Sequence, residues 1–117
     1  MRYKLYLDDL RYPPADTEDW RIARNYHDAL WYVKTYGLPY HISFDHDLGM
    51  NHDPSASIVP REFTGYDFAK WFCIYVLNTG LDLPADFGYT VHSANPVGAA
   101  NIRAYMENFL KDGYVSG

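Results

Sequence analysis

Residues 41–49 read HISFDHDLG, a short alternating run that stops on Asp45, His46 and Asp47 and then a glycine. The alternation has the period of a β-strand, and the titratable stop marks the place where that strand ends. The same pattern occurs twice more. Residues 3–9 (YKLYLDD) end on Asp8 and Asp9, and residues 89–95 (YTVHSAN) end on His92, Ser93 and Asn95. A fourth short strand fits residues 20–24 (WRIAR), after a proline-bearing loop over 11–18.

Helical signals fill the intervals. Asn25 stands where an N-cap belongs, with Asp28 three residues on, Ala29, Leu30 and Val33 as the apolar stripe, and Gly37 as a stop. Thr64 and Asp67 repeat the capping pattern ahead of Phe68, Ala69, Phe72, Cys73, Val76 and Leu77, which recur at helical spacing and predict a well-buried helix. Asn95 and Pro96 open the last helix, with Ile102, Tyr105, Met106, Phe109 and Leu110 on its buried face. Residues 50–63 carry no periodicity and read as a mobile loop insertion within one domain spanning 1–117.

Strands alternating with helices predict a three-layer α/β fold with a short parallel sheet, its first strand central. In such sheets the ligand crevice lies beyond the carboxyl ends of the strands. That is where the charged residues of this chain collect, from three segments far apart in sequence.

Composition narrows the class. With 48% hydrophobic and 21% charged residues in 117, the chain is neither disordered nor fibrous. Its single cysteine excludes a disulfide framework and a cysteine-based zinc site. No apolar run reaches a membrane span and no signal segment opens the chain, so a cytoplasmic location without membrane partners is expected. A net charge of −5 argues against general DNA binding.

The converging residues suggest phosphate chemistry. Carboxylates gathered at one point repel unless a hard cation sits among them, and Mg²⁺ accepts one or two carboxylates plus substrate oxygens. The helix starting at Asn95-Pro96 offers N–H groups to a phosphate, and His46 and His92 titrate in the range suited to an acid and a base. Plainer readings exist for each piece. Asp8-Asp9 can be turn residues, Asp45-His46-Asp47 a solvated loop, and His92 a histidine bonded to backbone. His27, His41 and His52 are read as surface or capping residues, and Cys73 as an inert buried thiol.

The strings LYLDDLR, ISFDHDLG, TGYDFAKW and VHSANPVGAANI resemble the cyclic-phosphate-processing receiver family, a divergent branch of response-regulator receiver domains. The resemblance implies a degenerate receiver (flavodoxin-like) fold of four to five strands, and covers Leu5 to about Leu110 apart from the 50–63 loop. It matches Asp8 and Asp9 to the receiver's acidic pair, Asp45 to the phospho-acceptor, Asp47 to a residue whose carbonyl reaches the metal, and Ser93-Ala94 to the phosphate-sensing step. Gly65 fits the glycine after the acceptor loop. The departures are a reduced first helix and a fifth strand that is at most a stub at 114–116, so that the receiver lysine has no counterpart. His46 and His92 stand where a receiver has no histidine.

The resemblance implies the processing of cyclic phosphates on nucleotides or nucleic-acid ends, in settings linked to phage conflict or nucleic-acid repair. On that pattern Asp8, Asp9 and Asp45 hold Mg²⁺. His46 and His92 share proton transfer, with Asp45 and Asp47 also counted as catalytic and Asp47 orienting a histidine or joining the metal. Ser93, Asn95 and Arg11 hold the phosphate, and Tyr66 or Trp71 is a candidate to stack a base. Two other readings stay open: a binder of cyclic or phosphorylated nucleotides acting as sensor, sponge or adaptor, and a signalling receiver phosphorylated on Asp45.

Overall fold

The computed structural model describes residues 2–9, 11–13, 19–45 and 63–113, with side chains described as far as Lys111. Four strands of four residues each, β1 (Lys4–Leu7), β2 (Trp20–Ala23), β3 (His41–Phe44) and β4 (Gly88–Val91), form one sheet. All neighbours are parallel and the spatial order is β2-β1-β3-β4. The chain therefore leaves β1 toward one side of the sheet and returns to its other side at β3. That reversal opens a crevice beyond the carboxyl ends of β1 and β3.

Each helix begins where its side-chain cap dictates. Asn25 accepts from the Asp28 N–H ahead of α1 (Tyr26–Tyr36), and Gly37 ends it at φ +93°. The Asp28 carboxylate turns instead to the Arg24 N–H, so the expected reciprocal box is only half made. At α2 (Gly65–Thr79) the box is complete, with Thr64 and Asp67 each bonding the other's backbone N–H. Gly80 closes α2 in the left-handed region at φ +69°, a conformation glycine adopts without steric cost. Asn95 caps α3 (Pro96–Asn108), which has proline in its first turn and runs on into a wider π-type turn at Phe109–Gly113. Among the described residues no helix is long and apolar enough to cross a membrane.

Alternation divides the sheet residues between two faces. Leu5, Leu7, Ala23, Ile42 and Phe44 join Ala29 and Val33 of α1, Phe68 and Phe72 of α2, and Ile102 and Met106 of α3 in one core. The α/β, parallel and flavodoxin-like expectation holds. The third layer is not seen among the described residues, because all three helices pack on this one face of the sheet. The connection from β1 to β2 holds no helix among its described residues, and among the described residues no helix packs on the opposite face.

The opposite face carries Lys4, Tyr6, Trp20, His41, Ser43 and Thr90. Tyr6 is buried there by other side chains, with Trp20 edge-on at 5.6 Å and His92 stacked at 4.7 Å. Leu77, expected in the core, is 53% exposed, since the inner face of α2 is filled by Phe68, Ala69, Phe72, Cys73 and Val76. The stub at 114–116 and the 50–62 stretch lie outside the described residues.

Candidate functional site

Backbone hydrogen bonds carry the sheet one rung past its strands. The Asp8 N–H donates to Ala23 O (3.1 Å), Asp45 N–H to Leu7 O (2.9 Å) and His92 N–H to Phe44 O (2.9 Å). Because Leu7, Phe44 and Val91 are in register, the next residues, Asp8, Asp45 and His92, stand side by side beyond the sheet end. Their ligand atoms all lie within 4.8 Å of one another, with both carboxylates buried and His92 half-buried.

Electrostatics mark this as a strained grouping of like charges. Burial, then the neighbouring Asp8 charge, push the Asp45 carboxyl above the usual carboxylate value, against the pull of a Ser93 hydroxyl hydrogen bond and of His92 and Arg11. Two carboxylates and an imidazole nitrogen converging within reach of one point are a donor set that fits a divalent cation.

Arg11 ties the site together. Its backbone N–H donates to Asp8 Oδ1 (2.9 Å), its guanidinium donates to His92 O (2.8 Å), and its Nε lies 3.8 Å from Asp8 Oδ2. Arg24 makes a second clamp that sequence reasoning missed, donating to the carbonyls of Asp8 (3.1 Å) and Arg11 (2.6 Å) with its guanidinium over the Tyr12 ring. Nothing in the sequence distinguishes that arginine from a solvated strand-end residue.

The other expected residues fall as follows. Asp9 is half-buried and is not one of the three grouped residues. The chain bends at Asp9, so the register that aligns Asp8, Asp45 and His92 does not extend to it. Ser93 accepts from the Asn95 N–H (3.1 Å) and bonds Asp45, while Asn95 Oδ1 accepts from the Gly98 N–H (3.0 Å) as the cap of α3. Asn95 thus shapes the helix start rather than offering a free oxygen to a ligand. His46 and Asp47 lie outside the described residues. Trp71 stacks on Tyr75 and Phe68, and Tyr66 packs edge-on to Tyr105, so both rings are engaged within the helical layer.

His41, read from sequence as a surface or capping residue, lies half-buried on the open sheet face with Nε2 3.2 Å from Thr90 Oγ1. Thr90 Oγ1 is 3.0 Å from Ser43 Oγ, which is 2.7 Å from His92 Nδ1. The alternation of HISF and YTVHS contained this row, since His41, Ser43, Thr90 and His92 share one face once β3 and β4 are paired in register.

A parallel sheet of this order, with buried carboxylates after its first and third strands and a hydroxyl residue after its fourth, defines a receiver-like domain. The family model for the cyclic-phosphate processing receiver domain matches residues 3–108, and the chain belongs to that family. No curated protein and no solved structure matches it.

Proposed function

We propose that this protein is a phosphoesterase-like enzyme that opens cyclic phosphate groups on nucleotides or nucleic-acid ends. The observation that supports it best is the convergence of Asp8, Asp45 and His92 at the sheet's carboxyl end, in a family named for cyclic-phosphate processing. Asp8 and Asp45 are the residues to hold Mg²⁺, which when bound supplies charge neutralisation at the phosphoryl oxygens.

Opening the ring by water forms one P–O bond, breaks the bond to a ribose oxygen, and moves one proton from the water and one onto the leaving oxygen. With Mg²⁺ on the two carboxylates alone, His92 would keep the proton on Nε2, 2.9 Å from Asp8 Oδ2, and give it to the leaving oxygen; His46 would take the proton of the attacking water. Ser93 and the amides at the start of α3 receive the phosphate, and the Arg11 guanidinium, about half exposed, is its second contact.

Phosphorus NMR on a panel of cyclic nucleotides, with Mg²⁺ and with EDTA, tests this. The expected result is conversion of a cyclic resonance to a monoester with wild type and not with Asp45→Asn. Ligand that binds yet is recovered intact after denaturation would replace the enzyme by a sensor, sponge or adaptor. Modification of Asp45 by acetyl phosphate would favour a signalling receiver.

A further inference from the structure

The four side chains on the open sheet face have only one hydrogen-bonding order that satisfies every contact when His92 is neutral. Asp8 Oδ1 accepts the Arg11 N–H and Oδ2 has that residue's guanidinium nearby, so the carboxylate is held as an acceptor. The His92 Nε2, 2.9 Å from Oδ2, must then carry the proton. A neutral ring protonated on Nε2 leaves Nδ1 as acceptor, and Ser43 Oγ at 2.7 Å must donate to it. Ser43 has one hydroxyl proton, so it accepts at its contact with Thr90 (3.0 Å), and Thr90 donates there. Thr90 in turn has no proton left for His41, whose Nε2 at 3.2 Å must be the donor.

We propose that Ser43, Thr90 and His41 are positioning residues forming a one-way hydrogen-bond chain that fixes the proton of His92 on Nε2, facing Asp8, and that reverses as a unit when a cation takes that nitrogen. The reversal follows from the same count. With Nε2 given to a cation, His92 would carry its proton on Nδ1 and donate it to Ser43. Ser43 then donates to Thr90, and Thr90 to a His41 now protonated on Nδ1. Each histidine gives its Nε2 proton to water and takes one from water on Nδ1, the two hydroxyls rotate and no heavy atom need move, yet the state of the site is written onto a histidine four residues back from Asp45 along β3, roughly 13 Å away at 3.3 Å per residue. Tyr6 stacked flat on His92 keeps the ring from swinging out of line. The resting order stands on contacts alone and is the one in which His92 has an Nε2 proton to give; the reversal rests on the reading of Asp8, Asp45 and His92 as a site for a cation that, unlike Mg²⁺, takes nitrogen.

The test is long-range ¹⁵N–¹H correlation spectroscopy on ¹⁵N-histidine-labelled protein at about pH 8.5, two units above the ordinary histidine value, with EDTA and then with Zn²⁺. Zn²⁺ is the probe because it takes imidazole nitrogen readily. Expected without metal are Nε2–H forms for both His92 and His41. Zn²⁺ should convert both to Nδ1–H. In Thr90→Val the conversion should persist at His92 and vanish at His41, and Thr90→Ser should restore it. An Nδ1–H or mixed ring at His92 in the metal-free protein overturns the proposal. So does a His41 that keeps its form while Zn²⁺ converts His92, and that outcome leaves the cation site standing. Zn²⁺ that fails to bind removes the cation site and the reversal together, and the two metal-free tautomers then decide whether the fixed order holds.

Discussion

His92 lies flat on Tyr6, with ring centroids 4.7 Å apart and planes within 4° of parallel. Tyr6 sits two residues before Asp8 on the same face of β1, so one strand supplies both the ring beneath the imidazole and the carboxylate at its edge. Orientation of His92 by packing should be separable from orientation by hydrogen bonds. Tyr6→Phe keeps the ring and should alter stability by under about 1 kcal/mol, with turnover near wild type. Tyr6→Ala should cost about 3–5 kcal/mol by thermal or urea unfolding, as for other buried aromatic truncations.

The Asp45 carboxyl gives a pH dependence of definite sign. Its folded-state pKa is raised, first by burial and then by Asp8, above the ordinary value of 3.8. Below that ordinary value both states are protonated and the group is neutral to stability. As pH rises through the window between the two values the unfolded chain ionises first, so stability falls, and the loss is complete above the folded value. Asp45→Asn should therefore raise the stability of the metal-free protein near pH 7 by about 1 kcal/mol and flatten its melting-temperature profile across that window. A divalent cation should raise the melting temperature of wild type and leave Asp45→Asn unchanged.

Cys73 should behave as core. Its burial pushes the thiol up to about 12, and its sulfur lies 3.8 Å from that of Met106. A disulfide reagent at about pH 8, below the free-thiol value, should label it only in denaturant. Cys73→Ser should cost about 1–3 kcal/mol from the buried hydroxyl, measured by urea unfolding. Rapid labelling of the native protein would mean that α2 and α3 separate far more readily than their packing implies.

Elements announced by local chemistry could be read from the sequence. Thr64 with Asp67, Asn95 with Pro96 and Gly37 after Tyr36 each satisfy or end a helix within a few residues, and the structure places them so. The gathering of Asp8, Asp45 and His92 followed from one rule, that polar residues after parallel strands meet beyond the sheet end. What stayed hidden depends on register and on which face helices cover. Arg24 reaches the backbone carbonyls of Asp8 and Arg11 on either side of the bend at Asp9, which no local pattern encodes. Ser43 and Thr90 are ordinary strand residues until β3 and β4 are aligned. The third layer was inferred from the fold class, whereas among the described residues the three helices pack on the one face that carries Leu5, Leu7, Ala23, Ile42 and Phe44.

The most decisive variants are those of His92, because the same ring has both structural and chemical contacts. His92→Ala removes the ring stacked on Tyr6, deprives Ser43 of its imidazole acceptor and takes a donor from buried Asp8. A stability cost of about 1–3 kcal/mol is expected from the polar losses alone, so reduced activity in that variant has two possible origins. His92→Gln separates them. Its amide can still donate toward Asp8 and accept from Ser43, so folding should be nearly retained, yet it cannot deliver a proton. If His92 protonates the leaving ribose oxygen, His92→Gln should lower kcat by about 10²–10⁴-fold with little change in KM. Its melting temperature should stay within a few degrees of wild type. Asp8→Asn should reduce Mg²⁺ affinity as well as kcat, because that carboxylate both holds the cation and orients the ring. Full activity in His92→Gln would remove proton transfer from this residue, leaving His46 or a cation-bound water to supply it, and kinetics across a Mg²⁺ titration of the same variant would tell those two apart.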